Sequence, residues 1–189
     1  MVKQVETVQQ VTDLKVEKER FFSATHEEIK QGLTTDIYFV KTKEILKKAG
    51  RDDAEVVAEI FGRRSGVFAG LAEVQVLLKD LGLEVWSLEE GETFSAKEVV
   101  MRIHGRYSLF GIYETAILGI LASSSGWATA ARAAKEAADG KPVLCFGARH
   151  VHPAVAPVME RAAVVGGADG ASCILGAKLA GLEPNGTVP

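Results

Sequence analysis

The sequence predicts an α+β N-terminal domain followed by the beginning of an incomplete α/β barrel. Three observations predict it. Up to about His104, amphipathic stretches and short β-branched runs mix without a parallel strand–helix–strand rhythm, which is α+β order. From Lys141 that rhythm sets in, with an apolar run over 143–148 and helical stretches over 154–165 and 172–180. Fewer than fifty residues follow Lys141, whereas a closed barrel takes about 250. The expected organisation is a leader or arm over 1–22, an N-terminal α/β domain with crossing helices over 23–138, and the first strands and helices of a truncated barrel over 139–189.

Taken in order, residues 1–20 space Val2, Val5, Val8, Val11 and Leu14 about three apart, as a short helix, a packing arm or a mobile leader would. Thr25-His26-Glu27-Glu28 reads as a capping box that starts a helix, interrupted at Gly32. Asp36 to Lys48 is an amphipathic helix closed by Gly50. Ala54 to Phe61 reads as a strand, 62–66 as a basic turn, and Val67 to Leu81 as a helix closed by Gly82. Strands over 83–88 and 99–104 flank the acidic turn Glu89-Glu90-Gly91-Glu92. Phe110 to Ala138 is rich in Ala, Leu and Ile, with soft points at Gly119 and 123–126, and reads as two helices or one bent helix. Val143 to Phe146 then has the look of a strand covered on both faces.

Composition excludes several classes. A net charge of -3 gives no reason to expect a nucleic-acid or membrane surface. The apolar stretch near 112–122 is interrupted by Glu114 and too short to span a bilayer. The first residues lack a signal peptide's apolar core. Cys145 and Cys173 stand alone without zinc spacing, as expected of a reduced, cytoplasmic protein. A single Asn among many Glu and Lys leans toward a thermophile source.

The candidate chemistry lies at strand ends. His150 and His152 would share a face if the strand ran that far, as a metal pair requires, or they are polar strand-end residues without metal. Gly166-Gly167-Ala168-Asp169-Gly170 fits no nucleotide-binding fingerprint, so Asp169 is either a turn former or a carboxylate at a strand mouth. Glu114 in an apolar helix is costly unless paired or facing a cleft; Arg102, Arg106, Arg132 and Arg149 are its candidate partners. Tyr38, near a helix start, reads on its own as a core or interface aromatic.

Several stretches, in order from about Phe22 onward, together resemble nicotinate phosphoribosyltransferase, of the type II phosphoribosyltransferase family. They are Thr34-Thr35-Asp36-Ile37-Tyr38-Phe39, Gly105-Arg106-Tyr107, the run 110–119, Ser125-Gly126-Trp127-Ala128-Thr129, the run 146–153, the run 166–170 and Gly186-Thr187-Val188-Pro189. Quinolinate and nicotinamide phosphoribosyltransferases share the architecture more distantly.

The resemblance implies an N-terminal domain joined to an incomplete barrel, in a homodimer or higher oligomer whose active sites borrow from the neighbouring subunit. It implies nicotinate and phosphoribosyl pyrophosphate as substrates, with Mg2+ and ATP as cofactors that this chain's residues do not bind. Phe146, and Tyr38 of the neighbouring subunit, would hold the pyridine ring between them. Arg149 would clamp the carboxylate, with His150 as its neighbour, and Arg106 would bind substrate. Asp169 and Thr187 would line the ring pocket, and Glu114 would hold arginines in place. A phosphorylated histidine follows the Gly-Thr-x-Pro turn in relatives, whereas here the sequence stops at Pro189. The chain is therefore expected to be an N-terminal half without turnover of its own. The alternatives are a quinolinate-using enzyme of the same fold and a non-catalytic binding or assembly module.

Overall fold

The computed structural model describes residues 3–186. The chain divides into two compact units that interleave along the sequence. The first takes residues 1–58, 75–86 and 102–119; the second takes 59–74, 87–101 and 120–189. The architecture is an α+β N-terminal domain that runs into the start of a parallel α/β unit.

In the first unit, α1 (Val8–Thr12) and α2 (His26–Lys30) are short helices that each begin with a capping box, Thr7 with Gln10 and Thr25 with Glu28. The Glu28 carboxylate also pairs with Arg20, and that pair and the Thr25 N–H hold its pKa down to about 2. The leading residues form an anchored arm: Val5 is buried and its N–H donates to the Gln31 carbonyl at 2.8 Å. Helix α3 (Ile37–Lys48) buries Phe39 and Val40.

The strands β1 (Glu55–Phe61), β3 (Glu84–Ser87) and β5 (Val99–Arg106) form one sheet in the order β1-β5-β3. A two-residue strand, β2 (Gly66–Val67), pairs antiparallel with β4 (Thr93–Phe94), Gly66 opposite Phe94.

The helix expected from Val67 begins only at Leu71, as α4 (Leu71–Leu78). The four N–H groups before it are all claimed by tertiary partners. Val67 donates to the Thr129 hydroxyl, Phe68 to the Glu92 carbonyl, Ala69 to the Ser125 hydroxyl and Gly70 to the Glu90 carboxylate, at 2.7–3.1 Å. Gly70, at φ +98°, turns the chain there. Tertiary bonding outweighs the helical propensity of these residues.

After β5 come α5 (Tyr107–Phe110), a 3-10 turn (Gly111–Tyr113) and α6 (Glu114–Ala137). The soft points at Gly119 and 123–126 do not break α6, which runs for 24 residues. The helical run Tyr107–Ala137 is thus long and apolar enough to cross a bilayer by length and composition, contrary to the expectation from residues 112–122. Ile117, Leu121, Ser124 and Ala128 recur along it at helical spacing and are all buried, the stripe of a core helix.

The parallel unit follows, with β6 (Leu144–Cys145), a 3-10 turn (Ala148–His150), α7 (Ala156–Val165), β7 (Gly170–Ala171) and α8 (Ile174–Leu179). Leu144 pairs with Gly170 and Cys145 with Ala171, in parallel. The chain then returns beside β7, where the Asn185 N–H donates to the Ala171 carbonyl at 2.8 Å.

Two expectations fail here. The strand predicted over 143–148 is two residues long, and it is not covered on both faces, since Leu144 is 43% exposed. Among the described residues β6 pairs with β7 alone, so its other edge is unpaired there.

Candidate functional site

The predicted site residues fall into two groups, one in each unit. In the first unit Tyr38 sits in the opening turn of α3, 53% exposed, its ring centroid 4.0 Å from that of buried Phe39. The segment before it is tied to the start of α6 by Thr115. The Asp36 N–H donates to the Thr115 hydroxyl at 3.1 Å, and that hydroxyl donates to the Asp36 carboxylate at 3.3 Å. Glu114, the residue before Thr115, opens α6 and is brought together with two tyrosines. Burial and then the Glu114 carboxylate push the hydroxyls of both Tyr38 and Tyr107 up. Desolvation pushes the Glu114 carboxyl up as well. Arg106 ends β5 and stands at the N-cap of α5, exposed.

Of the other arginines weighed as partners for Glu114, Arg102 lies over the Trp86 ring at 5.3 Å. Arg132 donates to the carbonyls of Gly166 and Gly91. A cavity of about 890 Å³ in the same unit is lined by Gln4, Lys30, Leu77, Leu109 and Tyr113, among others. None of the predicted site residues lines it.

In the second unit Phe146, Arg149 and His150 come together on the loop that leaves the carboxyl end of β6. That is the end at which α/β barrels build their sites. Phe146 is half-buried, and Arg149 and His150 are exposed. The strand stops at Cys145, and the His150 N–H donates to the Gly147 carbonyl at 2.9 Å to close the 3-10 turn. His150 and His152 therefore do not project side by side from one strand. The His152 Nδ1 instead accepts the Ala154 N–H at 3.1 Å. Among the described residues no group of three His, Cys, Asp or Glu side chains is arranged to hold a metal ion.

Asp169 does not join Phe146 and Arg149. It precedes β7, beside Val143, at the amino end of the two-stranded ribbon. Its carboxylate accepts from Lys135 Nζ at 2.7 and 2.9 Å and from the Val143 N–H at 2.7 Å, and these bonds lower its pKa. Thr187 lies outside the described residues.

Sequence reasoning missed a residue at the carboxyl end. Glu160 on α7 is completely buried and bonds to the loops after both β6 and β7. The signal in the sequence was weak, because Glu160 stands next to Arg161 in the helix and reads there as half of an ordinary charged pair.

The fold defined by these elements is that of the type II phosphoribosyltransferases. Residues 36–125 match the family model for the quinolinate phosphoribosyl transferase N-terminal domain. Among solved structures, the chain is similar to a nicotinate-nucleotide pyrophosphorylase from Pyrococcus furiosus, with 46% identity and a TM-score of 0.86 over 90% of this chain and 45% of that one. It shares the fold of human nicotinic acid phosphoribosyltransferase at 22% identity and a TM-score of 0.74, over 82% of this chain and 39% of that one. A nicotinate phosphoribosyltransferase of Mycobacterium tuberculosis is 24% identical over 82% of this chain and 42% of its own length. The chain thus spans less than half the length of the curated relatives it matches.

Proposed function

We propose that the protein carrying this chain makes nicotinate mononucleotide by transferring a phosphoribosyl group from phosphoribosyl pyrophosphate to nicotinate, as a nicotinate phosphoribosyltransferase of NAD biosynthesis. The observation that carries the reading is the loop after β6, which offers one aromatic ring, Phe146, and one guanidinium, Arg149. One flat ring bearing one carboxylate needs no more. An arginine can meet that carboxylate with two parallel N–H donors, and an aromatic face suits an electron-poor ring. The exposed ring of Tyr38 is free to serve as the second face for a neighbouring subunit in a homodimer. The similarity to a mycobacterial nicotinate phosphoribosyltransferase, 24% identical over 82% of this chain, also supports the reading.

In the reaction the pyridine nitrogen lone pair attacks the anomeric carbon, a C–N bond forms, and the C–O bond to pyrophosphate breaks with its electron pair leaving on oxygen. The nucleophile carries no proton, so no general base is required. Phe146 and Arg149 would orient the ring, and catalysis would lie in positioning and in stabilising a cationic sugar. Among the described residues no group of three His, Cys, Asp or Glu side chains is placed to hold the Mg2+ that the resemblance implies, and no step here runs through Mg2+ or ATP.

A quinolinate-using enzyme is the second reading, favoured by the family model over residues 36–125 and by the 46% identity to the Pyrococcus nicotinate-nucleotide pyrophosphorylase. Quinolinate carries two carboxylates, and its conversion to the same product must also release CO2. The product of the complete reading frame should therefore be assayed with both acids. A kcat/KM for nicotinate at least about a hundredfold above that for quinolinate is expected, as an unmatched buried charge rejects the wrong acid strongly. Preferred turnover of quinolinate with stoichiometric CO2 would overturn the nicotinate reading.

A further inference from the structure

Among the described residues Glu160 is the charged residue that the fold buries completely, at 0% exposure. A carboxylate tolerates such burial only when its oxygens are bonded. Oε1 accepts the Ala148 N–H at 3.2 Å and the Ser172 hydroxyl at 2.9 Å, and Oε2 accepts the Cys173 N–H at 2.5 Å. The donors belong to two loops. Ala148 opens the 3-10 turn that carries Arg149, and Ser172 and Cys173 make the step from β7 into α8. Both loops leave the carboxyl ends of parallel strands, and Glu160 reaches them from α7, the crossover helix between those strands. Helix α8 lies so close that a Cβ on Gly176 would stand 3.0 Å from the Glu160 Cβ.

A buried carboxylate contributes little to stability compared with a well-packed apolar side chain of its size, but it can fix one geometry. A leucine here would fill the space and hold neither loop. We propose that Glu160 is a positioning residue for recognition of the pyridine carboxylate. It sets the turn bearing Arg149 against the start of α8, and with it the point at which the guanidinium meets the substrate. The inference rests on the role given to Arg149 above.

Two variants test it in the product of the complete reading frame. Glu160→Gln keeps the shape but turns an amide NH2 toward an N–H donor. Ser172→Ala removes one donor and no charge. Since misplacement by an ångström is felt strongly at a binding site, Glu160→Gln should raise KM for nicotinate about tenfold and Ser172→Ala about threefold, with kcat within about twofold and KM for phosphoribosyl pyrophosphate unchanged. A lowered thermal midpoint with an unchanged KM for nicotinate in Ser172→Ala would make the cluster merely structural and overturn the proposal, whether or not Glu160→Gln folds. Amide exchange reads the strut without substrate. Faster exchange at Ala148 and Cys173 is expected in either folded variant, and unchanged exchange overturns the strut. A wild-type enzyme that ignores nicotinate overturns the substrate reading, and exchange still decides whether the strut exists.

Discussion

At the scale of single residues, Tyr113 joins three separate parts of the first unit. Its hydroxyl donates to the Lys30 carbonyl at 2.7 Å and accepts from the Gln4 side chain at 2.9 Å. Gln4 in turn accepts from Lys43 Nζ at 2.9 Å, and burial lowers the pKa of that ammonium. Tyr113→Phe keeps the ring and leaves the carbonyl and the amide short of a partner. The expected loss is about 1–3 kcal/mol, read from the urea midpoint, with faster amide exchange at Val5 as the arm loosens. A stability equal to wild type would mean that water replaces the hydroxyl. Individual chemistry was only partly legible in the sequence. A carboxylate in an apolar helix pointed to Glu114, whereas Glu160 stands beside Arg161, and helical spacing does not say which neighbours a face will meet. Asp169 sits among glycines in the sequence, and only the register of β6 with β7 puts it at the amino end of the ribbon beside Lys135.

At the scale of elements, α6 shows that glycine inside a helical pattern is a cost rather than a stop. Gly126 is exposed in mid-helix and a Cβ there would meet nothing within 4 Å. Gly126→Ala should therefore raise stability by about 0.5–1 kcal/mol in a chemical denaturation series. Gly166, at the end of α7, is the opposite case, since a Cβ there would lie 2.1 Å from the Ala128 carbonyl oxygen of α6. Gly166→Ala must push backbone away from backbone, and about 1–3 kcal/mol of destabilisation is expected in the same assay. A neutral Gly166→Ala would contradict this close approach of the two helices. The start of α4 could not be read from the sequence. Val67 to Gly70 are compatible with helix locally, but four tertiary acceptors take their N–H groups.

At the scale of the whole chain, the second unit leaves apolar surface without cover. Ile174 is 72% exposed, Leu175 56%, Leu179 54% and Leu144 43%, beside a ribbon of two short strands. Such a surface next to an unpaired edge favours association. These 189 residues expressed alone should self-associate at micromolar concentration, as light scattering would show, and a monodisperse monomer would contradict this. What the sequence by itself determined were the elements with strong local signals: the capping box at Thr25, the amphipathic helix from Ile37 to Lys48, and the strand–helix–strand order after Lys141. It also kept Phe146 and Arg149 near the carboxyl end of β6, because they lie only a few positions apart in the chain. Tertiary structure alone decided where β6 ends, that His150 and His152 do not share a strand face, and that Asp169 and Glu160 serve opposite ends of one ribbon. Those outcomes depend on partners distant in the chain, and local patterning carries no record of which partner a backbone N–H or a buried carboxylate will find.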